Sequence, residues 1–144
     1  MLHLVSVVAL PIFLLSLGVL AIRGNLISAS PLIIGCQLGA LALMVWARFA
    51  FPKGSFRVSA KPAGSEVIHR GPYRFIRHPM YAGAAVLLWA SVAGHFSTLS
   101  VVIALVPTAA VLGKIVAEER YLRARYPDYA EYSRSTKRLV PFVF

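Results

Sequence analysis

The chain has 144 residues, 58% of them hydrophobic and 14% charged, with a formal charge of +10 and a single cysteine. A soluble domain of this size cannot bury so much apolar surface, so the composition excludes an ordinary globular protein and points to an integral membrane one. The basic residues fall in two blocks beside apolar segments, which suits anionic lipid headgroups and argues against nucleic acid as a partner, and the lone Cys36 excludes an internal disulfide.

A bilayer core of about 30 Å is crossed by roughly 20 helical residues. Residues 2–22 form the first such run, closed by Arg23-Gly24-Asn25. It is longer than the apolar part of a secretory signal and no positive charge precedes it, so it is expected to be retained. Residues 31–51 form a second run, opened by Pro31 and ended before Pro52-Lys53-Gly54. A third covers 79–94, short but started by Pro79, which suits the first helical position. Gly94-His95 reads as a tight turn into a fourth span over 96–116, which makes the last two spans a hairpin. Pro11 and Pro107 should kink the first and fourth spans or free a carbonyl. Gly35-Cys36-Gln37-Leu38-Gly39 permits close helix approach, inside the protein or between copies, and Gln37 is expected to hydrogen-bond a neighbouring helix.

The expected fold is therefore all-α and integral to the membrane. It is one domain over 1–144 with about four transmembrane helices, a cytoplasmic connecting loop over 52–78 and an amphipathic C-terminal segment over 117–144. Lys53, Arg57, Lys61, Arg70, Arg74 and Arg77 lie between spans two and three. Lys114, Arg120, Arg123, Arg125, Arg134, Lys137 and Arg138 lie at the end of span four or after it. Arg23 alone falls on the opposite side, and Arg48 can snorkel. The excess of positive charge places both termini in the cytoplasm, with a bacterial inner membrane as the expected location. Past span four the helical pattern continues with rising charge until Pro127, and Asp128 can cap a short helix over 129–133. Tyr121, Tyr126, Tyr129 and Tyr132 are expected at headgroup depth, and the apolar end over 139–144 is expected to fold back on the protein or the interface.

Two polar clusters interrupt this pattern at matching depth. Arg77-His78-Pro79-Met80-Tyr81 opens span three, and Glu118-Glu119 closes span four. Each has a plain structural account. Arg74 and Arg77 can bind lipid phosphates, His78 can cap a helix, and Tyr73 and Tyr81 can anchor at the interface. Glu119 can pair with Arg123, and Lys114 with Glu118, one turn apart on a helix. Consecutive acids point about 100° apart, however, so both cannot serve Arg123, and ionisable groups at this depth are functional candidates. No metal set appears among the dispersed histidines, and no Gly-rich phosphate loop follows a strand.

The segments 71–83 (Gly71-Pro72-Tyr73-Arg74-Phe75-Ile76-Arg77-His78-Pro79-Met80-Tyr81-Ala82-Gly83), 118–122 (Glu118-Glu119-Arg120-Tyr121-Leu122), 126–132 (Tyr126-Pro127-Asp128-Tyr129-Ala130-Glu131-Tyr132) and 138–142 (Arg138-Leu139-Val140-Pro141-Phe142) together resemble the isoprenylcysteine carboxyl methyltransferase family and the related phospholipid methyltransferases. The likeness covers about 65–142; the first two spans match only as generic membrane helices. It implies an enzyme that moves a methyl group from S-adenosylmethionine to a lipophilic acceptor, with the cofactor enclosed by the C-terminal segment. By motif, Tyr73, His78, Pro79, Met80, Tyr81 and Glu118 would line the cofactor pocket, with Ser65, Glu66, Val67 and Ile68 at the adenosine-side loop. Lys114 falls where the eukaryotic prenylcysteine enzymes place a substrate-contacting arginine; lysine keeps the charge but not the bidentate grip on a carboxylate.

The residue chemistry agrees with that implication, since aromatic rings stabilise a sulfonium cation and stack adenine. A carboxylate acceptor of isoprenylcysteine type is already ionised and needs no base. A phospholipid amine would need one, for which His78 and Glu119 are the nearby candidates; a hydrophobic thiol is a third acceptor class. No catalytic base is assigned. Two further readings stand beside the methyltransferase. One is an NADPH-dependent membrane reductase with a similar helix start, and the other is a non-enzymatic membrane partner module. Oligomeric state is left open.

Overall fold

A computed structural model describes residues 2–50 and 67–140, with backbone alone for 2–7. Five helices follow in order: α1 (Leu2–Ile22), α2 (Pro31–Phe49), α3 (Pro79–Gly94), α4 (Thr98–Arg125) and α5 (Tyr129–Ser135). The described residues form no sheet; an isolated parallel bridge joins Ile76 to Lys137. Two helices, α2 and α4, are long and apolar enough to cross a membrane, while the apolar stretches Val8–Ile22 and Pro79–Gly94 are shorter.

The helices do not pair in chain order. α1 lies along α4 and α2 along α3, and a lighter α3–α4 contact joins the two pairs. Phe13 and Leu20 of α1 meet Ala84, Leu88 and Val92 of α3 and Ala104 of α4 in the central core. Close approach of α2 and α3 depends on Gly83. A methyl group there would stand 2.8 Å from the Ala40 carbonyl oxygen and 2.5 Å from Met44 Cγ. Gly35 and Gly39, in contrast, have nothing within 4 Å of where a side chain would begin. That GxxxG pattern faces outward and contributes no internal packing, because Gln37 and Ala40 take the buried side of α2.

Gln37 does reach a neighbouring helix. Its amide donates to the Leu26 carbonyl at 2.7 Å and to Ser91 Oγ of α3 at 3.0 Å. This fastens the α1–α2 connection to the far end of α3, in keeping with the need of buried polar groups for partners.

Three boundaries differ from the sequence expectation. The turn after α3 runs over 95–97 and α4 begins at Thr98 rather than at 96, because Ser97 is the cap, its Oγ accepting from the Ser100 amide at 3.1 Å. α2 ends at Phe49, with Ala50 as its cap, rather than at 51, whereas α4 runs on to Arg125 as its continuing helical pattern implies, and Tyr126 turns extended ahead of Pro127. α5 reaches Ser135, and Asp128 holds its first position without any side-chain cap. Tyr126, Tyr129 and Tyr132 are buried together with Leu122 and Val67.

The segment leading to α3 is ordered by a single 3-10 turn, Gly71–Arg74. Gly71 has φ of 60°, and a side chain there would also press on Trp46 and Ala50 at 3.2–3.3 Å, so only glycine fits. Arg70 Nε donates to the Ala50 carbonyl at the end of α2, and Tyr132 Oη donates to the Tyr73 carbonyl at 2.7 Å. Ser65 and Glu66, most of the connecting loop and the stretch from Pro141 onward lie outside the described residues.

Candidate active site

The entrance of α3 and the C-terminal part of α4 bring four of the expected residues to one point. Glu118 is that point. Tyr81 Oη donates to its Oε1 at 2.5 Å, Lys114 Nζ stands 3.8 Å from the same oxygen, and His78 Nδ1 stands 3.7 Å from Oε2. The sequence supplies this geometry locally. Lys114 and Glu118 are one helical turn apart on α4, and His78 and Tyr81 are three residues apart at the first turn of α3. The His78 and Tyr81 rings lie stacked at 5.5 Å and 16°, and the Lys114 ammonium is 5.9 Å from the centre of the Tyr81 ring. His78 occupies the cap position of α3 yet its side chain caps nothing; it turns to the acids instead.

Glu119 points the other way. Its carboxylate accepts from Arg77 Nε at 2.9 Å and from Arg138 Nε and Nη2 at 3.1–3.2 Å, with Arg123 Nη2 at 4.0 Å. Arg77 also donates through Nη1 to the carbonyls of Ser133, at 2.8 Å, and Thr136. So Arg77 is a buried clamp and not a lipid-phosphate ligand. His78 Nε2 lies 3.5 Å from Glu119 Oε1, within ion-pair range but not aligned for a hydrogen bond, and has no other hydrogen-bond partner. The imidazole therefore stands between the two carboxylates. The Glu118 side chain is 16% exposed and that of Glu119 5%, so it is the Glu118 side of the imidazole that opens outward.

The other expected residues that the structure describes pack around this group or behind it. Tyr73 is buried against Ala47, Ala50, Ile68 and Met80. Burial raises its phenol pKa, and the nearby charges of Tyr132 and Glu118 raise it further. Pro79 is fully buried. Val67 and Ile68 diverge as alternating residues must: Val67 packs on the tyrosines of α5 and Ile68 on Tyr73. They support the site from behind, and the structure brings neither to Glu118.

Two residues that matter to this arrangement, Arg77 and Arg138, were not assigned to the site from the sequence, and Glu119 was named only as a candidate base. Acids are scarce in a chain with five of them against fifteen lysines and arginines, and a buried one must draw cations from somewhere. That scarcity was the available signal; which arginines answer it depends on the backbone path of 136–138.

The family model described as phospholipid methyltransferase matches residues 31–129. No curated protein and no solved structure matches the chain.

Proposed function

Because the chain belongs to the phospholipid methyltransferase family, we propose that this membrane methyltransferase of lipid-like substrates uses S-adenosylmethionine as donor and binds it around Glu118. The observation that carries the proposal is the convergence of His78, Tyr81, Lys114 and Glu118 from two helices on one carboxylate. The donor set fits the chemistry of that cofactor. It offers an acid for a ribose or ammonium group, stacked rings for a cation or a flat base, and a buried imidazole to donate to a carboxylate. Tyr73 adds a further ring. When bound, the cofactor supplies an electrophilic methyl group for in-line transfer to a nucleophile.

The protein's part is alignment and exclusion of water. Tyr81 fixes the Glu118 carboxylate, and Lys114, nearly buried on α4, places a positive charge one turn deeper. We assign no general base. Glu119 is taken up by guanidinium groups, which leaves it poorly suited to accept a proton. An acceptor that is already anionic, such as a carboxylate of isoprenylcysteine type or a thiolate, asks least of this site. The family match favours a phospholipid amine as the second acceptor class. The reductase reading loses support because the arginines Arg77 and Arg138, which such a site would need for phosphates, face Glu119 and not an opening.

For topology we propose four crossings with both termini cytoplasmic, in a bacterial inner membrane. α4 has 28 residues and is about 42 Å long. Its first twenty residues fill a bilayer core, and Glu118 and Glu119 then fall just past the cytoplasmic boundary.

Calorimetric titration of the detergent-purified protein with S-adenosylhomocysteine tests the cofactor. Binding in the wild type and its loss in Glu118→Ala are expected; no binding in the wild type, or equal binding in both, overturns the proposal. Incubating membranes with methyl-labelled cofactor then identifies the acceptor by which lipid becomes labelled, and NADPH titration is the counter-test for the reductase.

A further inference from the structure

The acidic pair divides its work, and the half that faces away from the cofactor site has its own use. Glu119 gathers Arg77 from the entrance of α3 and Arg138 from the C-terminal segment on one buried carboxylate. The backbone follows the same join. The Arg77 amide donates to the Lys137 carbonyl at 2.7 Å and the His78 amide to the Arg138 carbonyl at 3.0 Å, while Lys137 returns a longer bond of 3.4 Å to Phe75. Arg77 closes the ring by donating to Ser133 and Thr136. The residue whose amide is held by Arg138 is thus the same His78 whose ring stands against Glu118.

We propose that Glu119 is a positioning residue. Through Arg77 and Arg138 it holds 136–138 against the entrance of α3, and so couples closure of the C-terminal segment to the setting of His78 at the Glu118 site. This rests on the reading of Glu118 as the cofactor side, but the clasp itself is observable without it. Neutralising Glu119 leaves two guanidinium groups without their shared anion, and the segment should lift. Ligand binding and closure should also favour each other reciprocally, as linkage requires.

The test is limited trypsin digestion of the detergent-purified full chain, following release of residues 139–144 by mass spectrometry, with and without saturating S-adenosylhomocysteine. In the wild type, cleavage after Arg138 is expected to be slow and slowed further, about fivefold or more, by the ligand. In Glu119→Gln, cleavage without ligand should rise about tenfold and the ligand's protection should vanish; Glu119→Asp should restore much of both. Arg138→Gln, a change at the rim, keeps the measurement possible if the buried variant does not fold, and cleavage after Lys137 should then rise in the same way. A merely structural ion pair would change the basal cleavage but leave ligand protection intact, which overturns the coupling. Unchanged cleavage in Glu119→Gln or, if it fails to fold, in Arg138→Gln overturns the clasp. If the wild type binds no S-adenosylhomocysteine, the cofactor reading and the coupling fail together, while basal cleavage of the variants still decides the clasp.

Discussion

At the scale of single residues, the two adjacent acids show how one step along a helix separates two tasks. A rotation of about 100° per residue sends Glu118 to Tyr81, Lys114 and His78, and Glu119 to Arg77 and Arg138. The hydroxyl of Tyr81 is the shortest contact to Glu118, and hydrogen bonds to charged groups are worth about 1.5–3 kcal/mol. Tyr81→Phe is therefore expected to weaken S-adenosylhomocysteine binding by about tenfold or more while leaving the clasp on 136–138 in place, as calorimetry and digestion together would read. The buried tyrosines make a separate prediction. Burial is the main reason that the Tyr132 phenol is pushed up to about 12 from its usual value near 10, and Tyr129 is raised in the same direction, also mainly by burial. A phenol that titrates higher when folded favours the folded state in its neutral form. That contribution is complete below pH 10 and is lost as pH rises from there through about 12. Thermal unfolding in detergent should show a midpoint that falls above pH 10, and Tyr132→Phe should flatten that fall, at a cost of about 1 kcal/mol for its lost bond to the Tyr73 carbonyl.

At the scale of elements, α3 is the piece whose placement everything else requires. Its contact with α2 closes over Gly83, where a methyl group would meet a backbone carbonyl that cannot swing away. Gly83→Ala should destabilise by about 1–3 kcal/mol, measured as a lowered thermal midpoint, and should weaken ligand binding by displacing the helix that carries His78 and Tyr81. The beginnings of α1 to α3 and the ends of α1 and α3 were legible in the sequence because Pro31, Pro79 and the apolar run lengths punctuate them directly, while α2 stops at Phe49, two residues short of its apolar run. The start of α4 was misread by two residues, since the polar Ser97 looks like part of the turn until its hydroxyl is found bonded to the Ser100 amide. His78, Tyr81, Lys114 and Glu118 were assigned to a site through the family resemblance; type and spacing alone equally allowed a helix cap, an interface anchor and a one-turn ion pair. The opposite charges on Arg138 and Glu119 could be seen too, but not that they meet. Nineteen positions of chain separate them, and that meeting is set by the path through Pro127 and α5. The tyrosines of 126–132 were expected at headgroup depth because amphipathic rings suit it; that Val67 covers them is a tertiary fact that no local pattern carries.

At the scale of the whole molecule, the proposed four-span topology can be checked in cells. With Cys36 replaced, a cysteine at Phe96, which is 80% exposed between α3 and α4, should react with a membrane-impermeant maleimide from outside. A cysteine at exposed Glu131 on α5 should react only after the membrane is opened. Labelling in the reverse sense would overturn the orientation derived from the positive charges. The order of helix pairing has a consequence for how the protein is made. α1 rests on α4 and α2 on α3, so the first helix to leave the ribosome finds its long-term neighbour only when the last is complete. Until then Phe13 and Leu20 have only Ala84, Leu88 and Val92 of α3 against them and lack Ala104 of α4. A nascent chain stalled after α3 should hold α2 and α3 together through Gln37 and Ser91 with α1 only loosely held, and the Glu118 cluster would be assembled in a single late event, when synthesis reaches the clasp.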